Sequence, residues 1–317
     1  MTTTSKNIVA LTGDAGGAKL VYGLARIVPP EKLTVVVNTG DNFEHLGLHI
    51  SPALDAVIYT LAGLAVPGSS SGVKNESWNM MTALARYGGP TWVQLGDREL
   101  ATHLLRNQWL HEGYPHGWIT KELCRRLGVR CTVLPMTEQP VQTILQTDEG
   151  EFGVQEYVGQ KQGKPVVKSI HFEGIDEAQP GQEVINALRK ADIIVFCPSD
   201  PLLGLDPILA LPNMRRIIAA SPAAKIGVSP IVKSQTQADS TAKLMAELGL
   251  DVSPVGVANH LKDVLTGFVI DPLDEAHQDT ITEMGLRTLV TPLTMKNDEA
   301  RVRLTQAVLD FATSGPG

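Results

Sequence analysis

At 317 residues the chain is long enough to bury one large core, or a core with a smaller attached layer. Apolar residues make up 43% and charged residues 19%, with a formal net charge of -7, an ordinary globular profile. No basic stripe is present, so nucleic acid is not an expected partner, and no apolar run approaches the length of a bilayer span. Anionic small ligands stay open, because local glycine loops and a metal can overrule the overall charge. Three scattered cysteines, Cys124, Cys131 and Cys197, lack CxxC spacing. They argue against a disulfide frame and against a structural zinc site. The first six residues are polar with no apolar core, so no signal peptide is expected and the cytoplasm is the default.

The chain opens on a short apolar run, residues 8–11, of the kind buried in a parallel sheet. Thr12-Gly13-Asp14-Ala15-Gly16-Gly17-Ala18-Lys19 follows and leads into a helical stretch ending near Ile27. Gly13, Gly16 and Gly17 suit a tight turn and close approach to a ligand. The helix start, with Lys19 in its first turn, is a candidate anion site. The spacing is neither GxGxxG nor a Walker A loop, so a strand-to-helix turn that binds nothing remains the alternative. A second strand, residues 33–37, ends in Asn38-Thr39-Gly40-Asp41-Asn42, and Ser51-Pro52-Ala53-Leu54-Asp55 starts another helix. In a parallel sheet such loops gather at the carboxyl ends of the strands, where ligands bind. Asp41 and Asp55 beside a glycine-rich anion loop suit a hard cation such as Mg2+. An Asp in a first helical turn is also common as dipole compensation.

Residues 66–72 are rich in Pro, Gly and Ser and read as a loop. Residues 75–87 are helix-like. Leu95-Gly96-Asp97-Arg98-Glu99 precedes a helix over 100–110, with Asp97 as a natural N-cap. Arg98 and His103 either face a ligand or serve as an ion-paired arginine and a satisfied helix histidine. Residues 118–127 form a further helix, and strand character resumes at 130–134. Residues 141–147 and 152–157 flank Asp148-Glu149-Gly150, a hairpin signal, and 166–172 extends that antiparallel patch. After a helix over 181–190, a buried strand over 192–197 runs into Pro198-Ser199-Asp200-Pro201. A strand over 226–231 ends in a polar loop, 233–240. A helix over 241–248, another over 261–265, a strand over 267–270 and three further segments continue the alternation. The expected fold class is α/β. It is a Rossmann-like, mainly parallel sheet with an inserted helical layer and a small antiparallel patch. The core spans 1–66 and 190–317, and the insertion about 67–189.

Five separated blocks carry a resemblance over nearly the whole chain. They are Gly16-Gly17-Ala18-Lys19, Val36-Val37-Asn38-Thr39-Gly40-Asp41, Ser51-Pro52-Ala53-Leu54-Asp55, Leu95 to His103, and Pro198-Ser199-Asp200-Pro201 with Val228-Ser229-Pro230-Ile231. In this order they resemble the CofD family, the 2-phospho-L-lactate transferases of coenzyme F420 biosynthesis. The resemblance implies transfer of a phospho-acid from a guanosine diphospho-linked donor to the ribityl hydroxyl of the deazaflavin Fo, with GMP leaving. The acid is lactate, enolpyruvate or glycerate in different members.

By the same resemblance Asp41 and Asp55 are catalytic, at positions tied to Mg2+ or to acceptor binding, and Asp55 is alternatively the base that hydrogen-bonds the attacking hydroxyl. Gly13, Gly16, Gly17 and Lys19 cradle phosphates. Asn38, Thr39, Gly96, Asp97, Arg98, Ser199, Asp200 and Ser229 line the ligand cleft, and the expected assembly is a homodimer. The chain departs from the family pattern at Asp200, where Asn is usual, and at Gly204-Leu205, where Ser-Ile is usual. It departs again at Ser71-Gly72-Val73, at Asp239-Ser240-Thr241-Ala242 before Lys243, and at Asp14-Ala15, where a glycine-rich pair is usual. Two rival readings have less support. A YvcK-type nucleotide-sugar-binding regulator would carry a Gly-Gly-Ser-Ser-Gly run where this chain has Asn42-Phe43-Glu44-His45. An NAD(P) oxidoreductase would need a different glycine spacing.

Overall fold

A computed structural model describes residues 5–66, 72–232 and 240–314. The expected loops over 66–72 and 233–240 lie mostly outside the described residues. Seven strands form one fully parallel sheet: β1 (Ile8–Thr12), β2 (Leu33–Val37), β5 (Thr132–Pro135), β9 (Ile193–Phe196), β10 (Ala224–Val228), β11 (Gly267–Ile270) and β12 (Arg287–Val290). Their order is β12-β11-β10-β9-β1-β2-β5. Ile8 is level with Leu33 on one side and with Ile193 on the other. The order reverses at the β1–β9 boundary, the position where open α/β sheets usually take ligands.

The central strands are buried on both faces, which is why they read as continuous apolar runs rather than alternating ones. Successive residues still point to opposite sides. Ile8 and Ala10 pack with α1 (Ala15–Ile27), α2 (Pro52–Leu61) and α12 (Asp298–Thr313), through Leu20, Leu24, Val57 and Val308. Val9 and Leu11 face the other core, shared with α6 (Gln182–Lys190), α7 (Asp206–Ala210) and α10 (Pro254–Leu261). The antiparallel patch is present as expected. It consists of β6 (Gln142–Thr147) between β7 (Gly150–Gly153) and β8 (Val167–Glu173). Its Leu145 and Val167 join the second core.

Four features differ from the sequence reading. β5 falls within the residues assigned to the insertion, yet it pairs with β2 and forms an edge of the main sheet. A two-stranded hairpin, β3 (Phe43–His45) and β4 (Leu48–Ile50), follows β2 directly. The helix placed at 261–265 runs instead over Pro254–Leu261, where Ser253 caps its start by accepting from the amides of Val255 and Gly256. The segment after β7 winds into a π-turn over Glu156–Gln160 instead of remaining extended. The helical layer comprises α3 (Asn79–Arg86), α4 (Asp97–His111) and α5 (His116–Arg126), and it lies over the β2 end of the sheet.

Candidate active site

The loops after β1 and β9 are stitched to each other. The Gly13 amide donates to Ser199 Oγ at 3.1 Å, and Ser199 Oγ lies 3.2 Å from Thr12 Oγ1. Asp14 bridges both loops. One oxygen accepts from the Gly17 amide at 2.9 Å and caps α1, and the other accepts from the Asp200 amide at 2.7 Å. A Cβ at Gly13 would sit 2.2 Å from the Gly204 carbonyl oxygen, and one at Gly17 2.0 Å from Thr12 Oγ1. These glycines therefore permit loop-to-loop contact. A Cβ at Gly16 would sit 2.8 Å from the Pro198 carbonyl oxygen. The β1–β9 crevice is filled, and the open space lies on the β2 side.

That space is a cavity of about 1410 Å³. Gly13, Asp14 and Lys19 line it from the β1–α1 turn, Asp41 from the loop after β2, and Asp55 and Tyr59 from α2. Phe43, Trp78 and Trp92 give it aromatic walls, and the start of α12 closes its far end with Arg301. Among the described residues, the Lys19 ammonium has no ion-pair partner.

Asp41 and Asp55 share this cavity in different states. Asp41 Oδ1 is buried with no hydrogen-bond partner. Burial pushes its carboxyl up to about 7, against the pull of its own amide and the Ala53 amide at the start of α2. The charges of Asp14 and Asp55 push in the same direction as burial. Asp55 is clamped by Arg106 of α4, itself only 2% exposed. Nη1 donates to Asp55 Oδ2 at 3.1 Å, and Nη2 donates to Oδ1. His103 Nδ1 lies 3.2 Å from Arg106 Nη1 and 3.7 Å from Asp55 Oδ2. Burial lowers the His103 imidazole to about 4, so it is neutral near pH 7 and its Nδ1 accepts from the guanidinium.

Several expected site residues line neither this cavity nor the one beside it. Ser199, 0% exposed, holds the Gly13 turn, and burial raises the Asp200 carboxyl while its oxygens accept from Leu202, Leu203 and Thr241. Ser229 folds onto its own turn, donating to the Ile231 carbonyl and accepting from the Ile231 amide. Asn38 accepts from the Gly40 amide and donates to the Leu203 carbonyl, which fixes the loop that carries Asp41. Gly96, Asp97 and Arg98 lock two helices together. Asp97 is the first residue of α4, yet its carboxylate accepts from Ser77, Asn79 and Met80 and caps α3. Those donors hold it down at about 2. Glu76 returns the contact by accepting from the Arg98 amide, while the Arg98 side chain is exposed. A Cβ at Gly96 would collide with Glu76.

Residues 8–304 match the CofD family, described as 2-phospho-L-lactate transferase. The chain belongs to the CofD family. A phosphoenolpyruvate transferase of Kitasatospora aureofaciens is 36% identical over 96% of this chain and 97% of its own length. A 2-phospho-L-lactate transferase of Methanosarcina mazei is 31% identical over 95% and 99%. A UPF0052-family protein of Bacillus halodurans superposes with a TM-score of 0.62 over 97% of this chain and 99% of that one. At 16% identity that likeness shows the shared fold alone. This is a CofD-family phosphotransferase of coenzyme F420 biosynthesis.

For a CofD-family member the fit of Mg2+ is a direct question. Among the described residues, no cluster of three or more His, Cys, Asp or Glu side chains forms a cage. Mg2+ needs no such cage, since it keeps waters and binds through one or two carboxylates plus substrate phosphates. Asp41, with a free oxygen at the cavity wall, fits that role. Asp55, with both oxygens on Arg106, does not in this arrangement. Reading the sequence also missed Arg106 and the part played by Asp14. Arg106 was findable: it lies three residues beyond His103, on the same face of α4.

Proposed function

We propose that this CofD-family chain transfers a phospho-acid from a guanosine diphospho-linked donor to the ribityl hydroxyl of Fo, releasing GMP and forming a phosphodiester. The hydroxyl oxygen bonds to the phosphorus that bears the acid, the bond from that phosphorus to the GMP oxygen breaks, and the hydroxyl proton leaves. Such displacement is driven by positioning and by neutralising oxygen charge. One observation carries the reading: Lys19, without an ion-pair partner among the described residues, and a half-free Asp41 face one aromatic-walled cavity at the carboxyl ends of β1 and β2. Lys19 supplies positive charge to the diphosphate. Asp41, poised at about 7, is matched to receiving the proton, or to holding Mg2+, which would neutralise diphosphate oxygens. Asp55 acts through its ion pair, as part of the cavity wall.

The acid we assign is enolpyruvate, because the relatives at 36% and 34% identity bear the name phosphoenolpyruvate transferase. The product is then dehydro-coenzyme F420-0. The test mixes the protein with Fo, Mg2+ and the lactyl, enolpyruvyl and glyceryl donors in competition, and resolves the products by mass. GMP release with the enolpyruvyl product in excess is expected. A lactyl or glyceryl excess would overturn the acid, and no GMP with any donor would overturn the transferase reading in favour of a protein that binds without turnover.

A further inference from the structure

Asp14 does more than start a helix. A capping carboxylate needs only the amides of its own first turn, and here one oxygen takes the Gly17 amide at 2.9 Å. The other crosses to the loop after β9, 186 residues along the chain, and takes the Asp200 amide at 2.7 Å. The Gly16 amide and the Ser199 hydroxyl also favour its charged form, against burial. Donors from two separate loops thus converge on one carboxylate, as they do on a bound phosphate. Gly16 makes room for it: a Cβ there would lie 3.1 Å from Asp14 Oδ1.

These donors do not depend on Asp14 for their places. Asp200 fixes its own loop, its carboxylate accepting from the Leu202 and Leu203 amides at 2.8 and 2.9 Å and from Thr241 Oγ1 at 2.6 Å. The Gly13 amide holds Ser199 Oγ, and the Gly17 amide is carried by the first turns of α1. Without the carboxylate, a preformed nest of N–H donors would remain. It opens on the first cavity, where Gly13, Asp14 and Ala15 form part of the wall beside Lys19. The adjoining cavity, about 880 Å³ and lined by Thr39, Asp41 and Asn42, has no Lys or Arg among its described residues and offers a phosphate no rival seat.

We propose that Asp14 is a specificity residue that acts as a built-in anion: it fills the nest, keeps free phosphate out of it, and leaves the donor's diphosphate to Lys19, on the side where Asp41 stands. This deepens the transferase reading above, on which only the turnover arm of its test rests.

The experiment titrates wild type, Asp14→Gly and Asp14→Asn with inorganic phosphate, followed by phosphorus NMR, and with GDP, followed by calorimetry. Asp14→Gly empties the nest, whereas Asp14→Asn removes the charge and keeps the space filled. Asp14→Gly is expected to bind phosphate at least about tenfold more tightly than wild type, the value of one hydrogen bond, and Asp14→Asn to stay near wild type. No gain in Asp14→Gly, or an equal gain in both variants, would overturn the assignment. Lys19→Gln, at a half-buried position facing the cavity, keeps the test alive should Asp14→Gly fail to fold. It is expected to weaken GDP by about tenfold or more, and unchanged GDP binding would put the diphosphate elsewhere and refute the proposal. With the enolpyruvyl donor, Fo and Mg2+, Asp14→Gly is expected to lower KM and kcat together, as the diphosphate sinks into the nest and away from Asp41. A fall in kcat with KM unchanged would mark a merely structural cap and count against the idea. A phosphate gain in Asp14→Gly with no GMP released by any of these proteins would keep the role of Asp14 and retire the transfer reaction.

Discussion

Removing the guanidinium that clamps Asp55 is the sharpest test of how this site is built. In Arg106→Gln the carboxylate, 6% exposed, keeps its burial and loses both donors, and His103 Nδ1 loses its donor as well. Deleting one partner of a buried pair costs about 3–5 kcal/mol, because the remaining charge is left without compensation. For a chain of this size the melting temperature should fall by roughly 4–8 °C. Urea unfolding followed by tryptophan fluorescence measures the change. The decisive comparison is the cycle with Asp55→Asn and the double variant Asp55→Asn/Arg106→Gln. Once both charges are gone, the double variant should lie above the sum of the singles by more than ~1.5 kcal/mol. Asp55→Asn should therefore lose stability together with activity. An Arg106→Gln protein within ~1 kcal/mol of wild type, or a coupling below ~0.5 kcal/mol, would refute the clamp.

Three further outcomes are expected. An acid whose folded pKa is raised costs stability above its unfolded value, and the cost is complete once pH passes the folded one. With Asp41 moved from 3.8 to about 7, Asp41→Asn should be more stable than wild type at pH 8 by about 1–2 kcal/mol, with the gain vanishing near pH 4. The same variant should lose at least ~100-fold in turnover, and equal stability at pH 8 or wild-type rates would oppose the assignment. Gly13→Ala places a methyl 2.2 Å from backbone, whereas Gly204→Ala places one 3.2 Å from the Ser199 Cβ. The first should cost about 3 kcal/mol and the second under ~1, measured as denaturant midpoints; similar values would disprove the tight loop contact. A histidine lowered from 6.5 to about 4 loses stability as pH falls through that window. His116→Gln should therefore gain on wild type by up to about 2 kcal/mol between pH 7 and 4.5, and a flat difference would contradict the shift.

The buried strands were legible because a sheet covered on both faces leaves uninterrupted apolar runs, as in Ile8–Thr12 and Ile193–Phe196. The β3–β4 hairpin was not. Its turn places Leu46 and Gly47 at φ of 53° and 74°, and a leucine there conceals the Asn-Gly or Asp-Gly pair that announces a tight hairpin. β5 looked like part of an insertion because a strand's pairing partner is set by topology, not by its own residues. At the site, sequence found the Asp41 loop and the Lys19 turn but could not separate two uses of glycine. A backbone that approaches a ligand and one that approaches another part of the protein require the same missing Cβ. Here Gly13 and Gly16 lie against backbone, and Gly17 lies against the Thr12 and Ser199 hydroxyls. Ser199 was misplaced for the same reason, since its hydroxyl holds the turn that faces the cavity and does not reach the cavity itself.

The sealed β1–β9 crevice explains where the charge sits. In the usual arrangement a phosphate rests against free amides at the first helix start, beside the point where strand order reverses. Here Asp14 already occupies that role: its carboxylate takes the Gly17 amide and, across the crevice, the Asp200 amide. Burial raises this carboxyl, yet its oxygens are satisfied by backbone that an incoming anion would otherwise use. In the proposed reaction a diphosphate would be held from the open side, by Lys19 and the cations toward α12, with its reacting phosphorus at the loop after β2. That loop keeps buried oxygens without partners at Thr39, Asp41 and Asn42, and Tyr59 of α2 adds another at the cavity wall. The Asp14 bridge that closes the β1–β9 crevice and the opening of the cavity on the β2 side therefore go together.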